Sequence, residues 1–179
     1  MRISISAGFC AGICFLGWLE PLVCAYFLFS AVIHELGHVL LLTILGFPVW
    51  RIRVDLCGAV METAEMGSIQ EFICASAGPI FSILFGLAML QAAPKASLIS
   101  FGLAAVNLLP LYPLDGGRML RSFLLLWCSA EHTERIVRIV TFAICLLLML
   151  LACWLTVFLQ AGVWPIFAAL VLLWKIGNA

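Results

Sequence analysis

Residues 21–45 form an apolar run long enough to cross a bilayer, yet His34, Glu35 and His38 sit inside it. A spanning helix needs about 20 mostly apolar residues. Five more apolar segments follow the same logic: 3–19, 72–90, 97–128, 136–159 and the short 163–176. The chain is 65% hydrophobic and only 10% charged, with mean hydropathy +1.22. A soluble domain of this size carries about 25% charged residues. The expected fold class is therefore an all-α integral membrane protein of about six transmembrane helices with a three-helix core. Its 179 residues leave little room for anything else, so residues 1–179 read as one polytopic domain. A net charge of zero offers nothing to nucleic acid, and no nucleic-acid partner is expected. The eight cysteines are scattered and read as small buried or lipid-facing side chains.

Two stretches break the helical texture. Residues 49–62, "VWRIRVDLCGAVME", place apolar side chains at Trp50, Ile52, Val54 and Leu56. That two-residue period predicts a strand, and Gly58 could turn it into a short membrane-associated β-hairpin between the second and third helices. An amphipathic surface loop is the alternative. In the fourth segment, Pro110, Pro113, Gly116 and Gly117 interrupt the helix.

Basic residues set the orientation. With six spans and an inside N-terminus, only Lys95 among the nine Lys and Arg falls outside. Both termini are therefore expected on the cytoplasmic side.

The polar residues in the second segment point to chemistry. Ionisable groups within a span are expensive and usually functional. His34 and His38 are four apart, so on a helix both imidazoles share a face and can meet one ion. Glu35 follows the first histidine and can reach water at that ion. This H-E-x-x-H pattern supplies two zinc ligands and a general base. A catalytic zinc needs a third protein ligand. His132, in the polar stretch "SAEHTER", reads as a solvated loop residue. Asp115, a carboxylate within the broken fourth segment, is the better third ligand. Its alternative role is to cap the helix that starts at Gly116. His38 lies eight residues before Gly46. That places the site about 12 Å below the cytoplasmic surface.

Together, "HELGH" (34–38) and "NLLPLYPLDGG" (107–117) resemble the site-2 protease family, zinc metalloproteases that cut substrates within the membrane. The six-span plan without a PDZ insertion looks most like the bacterial sporulation-type branch. The resemblance covers about residues 21–128, the expected catalytic core. It implies one Zn2+ per chain held by His34, His38 and Asp115, with Glu35 as the base. It also implies Asn107 near the substrate, donating to its backbone or oxyanion; otherwise Asn107 bonds its own broken helix. Residues 76–82, "SAGPIFS", resemble the family's Gly-Pro segment on the third core helix, where asparagine is frequent at the position of Ser82.

The implied function is hydrolysis of a peptide bond in or near a transmembrane segment of a membrane-associated protein. The implied location is the bacterial cell membrane. With no PDZ or CBS domain in these residues, restraint is expected from a regulatory membrane protein or from a first cut that trims the substrate. A CAAX-type protease would use a glutamate as third ligand, and no later apolar span has one. A membrane zinc carrier or sensor would need the ligands but not Glu35. An inactive scaffold would lack a ligand or the base, and none is missing.

Overall fold

Helix α2 (Pro21–Ile44) carries the H-E-x-x-H pattern, and both of its ends follow from local sequence. Pro21 at the first helical position has a suitable φ and no N–H to strand. At the other end Gly46 adopts φ +78°. Its N–H donates to the Thr43 carbonyl, and that of Phe47 donates to the Leu42 carbonyl, which closes the helix in a Schellman motif. Pro48 then directs the chain into a strand.

The structure is a computed structural model that describes residues 2–55, 58–158, 170 and 173. In chain order the elements are β1 (Arg2–Ile5), α1 (Ala7–Leu19), α2, β2 (Val49–Asp55), β3 (Gly58–Thr63), α3 (Ser68–Met89), α4 (Pro94–Asn107), α5 (Asp115–Leu124) and α6 (Ala130–Phe158). Helices α2, α3 and α6 are long and apolar enough to cross a membrane. Their outward faces expose large apolar side chains such as Ile44, Leu84 and Phe142, as lipid-facing surfaces do. The chain is a membrane protein.

The expected hairpin is present as β2 and β3, paired antiparallel with Arg51 opposite Glu62. One feature differs from the sequence expectation. The first apolar segment begins as β1, which pairs parallel with β2, so β2 is the central strand of three. Alternation in "RISIS" carries that signal, and the apolar run behind it obscures it. What remains as α1 is 13 residues long, about 20 Å and short of a full span. The fourth segment divides into α4 and α5, of 14 and 10 residues, joined by an irregular stretch. The short segment 163–176 lies outside the described residues, apart from 170 and 173.

Helix α3 is central and packs against α2, α4 and α5. Helix α6 closes the other side of α5. There Leu111 and Leu114, from the irregular stretch, form a buried cluster with Cys145. Non-helical backbone at membrane depth must be buried or face water, with its polar groups paired. Here the Leu114 N–H donates to the Leu111 carbonyl and the Tyr112 N–H to the Thr141 hydroxyl of α6.

Candidate metal centre

His34 and His38 project from one face of α2, and both are buried, at 4% and 7% exposure. Asp115 is the first residue of α5 and is also 7% exposed. Leu114 flanks the helix as its N-cap, so Asp115 lies inside the first turn with its side chain turned to the histidines. His34 Nε2 and His38 Nε2 lie 3.0 and 3.2 Å from Asp115 Oδ2, and 3.4 Å from each other. The chain thus brings together three residues that lie 77 and 81 positions apart.

This triangle has the shape of a metal site. Ligands at about 2.0–2.1 Å from a tetrahedral zinc stand about 3.3 Å apart. The hydrogen bonding points the same way. His38 Nδ1 lies 2.8 Å from the Cys74 carbonyl, which can only accept, so Nδ1 carries the hydrogen. In neutral His38 the lone pair then sits on Nε2, directed at a carboxylate oxygen. Lone pair facing lone pair in a buried site calls for a cation between them.

The outer contacts come largely from α3. His34 Nδ1 lies 2.9 Å from Ser82 Oγ. Between the two histidine contacts, Gly78 presents bare backbone. A Cβ there would collide with Nε2 of both histidines, 2.6 Å from that of His34. Cys74, Gly78 and Ser82 repeat at the same four-residue spacing as His34 and His38. The pairing runs in opposite chain directions, so α2 and α3 are antiparallel. The spacing in "CASAGPIFS" was readable, but nothing in it says that a carbonyl and a hydroxyl point at histidines.

A charged chain surrounds the carboxylate. Arg118 lies 3.9 Å from Asp115 Oδ1 and 3.7 Å from Glu71. Arg121 reaches the other oxygen of Glu71 at 3.7 Å and Glu134 at 2.7 Å. These pairs tie α5 to α3 and α6. Glu35 is half-buried beside His34 along α2. Asn107 ends α4, half-buried, and its Nδ2 donates to the Leu103 carbonyl one turn back, which bonds its own helix. His132 is exposed and lies in the first turn of α6, not in a loop; its Nδ1 pairs with Ser129 Oγ.

A buried His-His-Asp cluster, with both histidines on a helix long and apolar enough to cross a membrane and a glutamate beside them, defines a candidate membrane metalloenzyme centre. Residues 92–151 match peptidase family M50. The chain is 28% identical to stage IV sporulation protein FB of Bacillus subtilis, across 86% of this chain and 57% of that protein. It is 34% identical to a putative zinc metalloprotease of Synechocystis, across 59% of this chain and 32% of that one. Identity to a zinc metalloprotease of Methanocaldococcus jannaschii is 30%, across 53% and 32%. The chain therefore spans just over half of the first relative and a third of the others. Among solved structures, the site-2 protease from Methanocaldococcus jannaschii superposes with a TM-score of 0.75 at 21% identity, covering 98% of this chain and 89% of that one. The chain shares the fold of that site-2 protease, and the segment matched to family M50 contains the second of the two motifs, residues 107–117.

Proposed function

We propose that the chain is an intramembrane zinc metalloprotease of the site-2 type. It would hydrolyse a peptide bond in or near a transmembrane segment of a membrane-associated protein. The observation that carries this reading is the buried triangle of His34 Nε2, His38 Nε2 and Asp115 Oδ2, set beside Glu35 on a membrane helix. These three residues would hold one Zn2+ per chain. The zinc relatives support the choice of metal, and the two-nitrogen, one-oxygen donor set suits it.

A zinc ion held there supplies Lewis acidity, which polarises a peptide carbonyl and acidifies water. Glu35 accepts the proton of the attacking water and delivers it to the leaving amine. Asn107 spends one amide hydrogen on Leu103. Its second hydrogen and its Oδ1 are the atoms a substrate backbone would pair with. The charged chain from Arg118 to Glu134 fixes α5, and with it Asp115.

In this reading residues 1–179 act as one domain with its catalytic core at about 21–128, in a bacterial cell membrane, under a regulatory membrane protein. Both termini face the cytoplasm. The distribution of charge supports that orientation: Arg118 and Arg121 pair with Glu71 at the start of α3, whereas Lys95 lies exposed beyond its far end. Impermeant thiol labelling of single-cysteine variants should reach position 95 from outside and positions 53 and 132 only after lysis. Labelling of position 53 in intact cells would reverse the orientation.

The function itself is tested with the purified chain in liposomes and a single-span membrane protein as substrate. Cleavage is expected, with loss on chelation and return with zinc. Glu35→Gln should lower the rate by about 100-fold or more. A Glu35→Gln chain that cleaves like wild type would contradict the mechanism. A metal-binding wild type that cleaves no candidate would favour a carrier or sensor.

A further inference from the structure

Ser82 has no place in the mechanism above, yet it is fully buried and in contact with the metal centre. Its Oγ lies 2.9 Å from His34 Nδ1, with both residues closed to solvent. With Nε2 of His34 turned to Asp115, where an ion would be held, the ring hydrogen belongs on Nδ1. We propose that Ser82 is the positioning residue for His34: its hydroxyl accepts the Nδ1–H and holds the ring with Nε2 facing Asp115. The inference rests on the metal-site reading given above.

The two histidines are held by unlike means. His38 donates to a main-chain carbonyl, that of Cys74, which no substitution at position 74 removes. His34 depends on a side chain. A partner on the far nitrogen fixes tautomer and orientation and raises the basicity of the ligating nitrogen. A second buried hydroxyl lies close by: Ser100 of α4 donates to the Ser82 carbonyl at 2.7 Å. Ser100 is also fully buried. That bond ties α4 to the main chain of α3 and leaves the Ser82 hydroxyl free to face His34.

This arrangement supplies its own control. Ser82→Ala and Ser100→Ala each remove one fully buried hydroxyl at the same place in the fold, but only Ser82→Ala leaves the His34 N–H without its acceptor. Zinc affinity is measured by chelator competition on the purified, folded chain in detergent, alongside thermal stability. Ser82→Ala should weaken zinc by about 10- to 100-fold. Ser100→Ala should lower the melting temperature and leave zinc affinity within about threefold. Equal affinity in Ser82→Ala and wild type, or equal weakening in both variants, would overturn the inference. If Ser82→Ala does not fold, the wild-type protein still decides the matter. The chain has only three histidines, so 15N spectra of the zinc-loaded, histidine-labelled protein can be assigned with His132→Gln. A His34 ring with hydrogen on Nδ1 in a hydrogen bond supports the assignment. A ring whose Nδ1 carries no hydrogen, or one that is not hydrogen-bonded, overturns it. A wild-type chain that binds no zinc would instead overturn the metal reading, and this inference with it.

Discussion

At Gly78 the backbone of α3 comes so close to both imidazoles that no side chain fits between them. The position predicts its own test. Gly78→Ala would push Nε2 of His34 and His38 out of the triangle and weaken zinc by about 10- to 100-fold. Gly102 of α4 has nothing within 4 Å of its would-be Cβ, so Gly102→Ala should bind zinc normally and gain about 0.5–1 kcal/mol of helix stability. Equal zinc binding in Gly78→Ala, by chelator competition, would mean the two helices are not packed this closely. Residues of this kind divide by what a sequence can express. His34, Glu35, His38 and Asp115 stood out because ionisable groups inside apolar runs are rare. Gly78, Ser82 and the Cys74 carbonyl did not, because glycine, serine and main chain are ordinary in membrane helices.

Among the elements, the long helices were legible from length and apolarity, and the hairpin from its two-residue period. β1 was not expected, since four residues of alternation precede a stronger apolar run. Its presence bears on the proposed function. Under the proposed protease reading, a substrate would have to unwind before hydrolysis, and its freed backbone groups would need partners inside the membrane. An open strand edge could supply those partners, with the substrate added as one more strand. With β1 on one side and β3 on the other, β2 has no open edge. Among the described residues, a substrate strand could join this sheet at the outer edge of β1 or β3. The broken fourth segment shows the opposite case, in which Pro110, Pro113 and Gly116 announced the interruption. What the sequence could not specify is that the chain re-enters a helix at Asp115 itself, through contacts of Leu111 and Leu114 with α6.

At the scale of the molecule, antiparallel α2 and α3 bring two distant motifs to one depth, and α5 delivers the carboxylate from a third direction. The same end of the bundle gathers Glu71, Arg118, Arg121 and Glu134. The central claim is that this assembly holds one zinc through His34, His38 and Asp115, with Glu35 outside the ligand set. Metal content of the purified chain and two variants tests it most directly. After dialysis against a weak chelator, wild type and Glu35→Gln should each retain one zinc per chain, and Asp115→Ala should retain almost none. Full zinc in Asp115→Ala, or none in the wild type, would contradict the account.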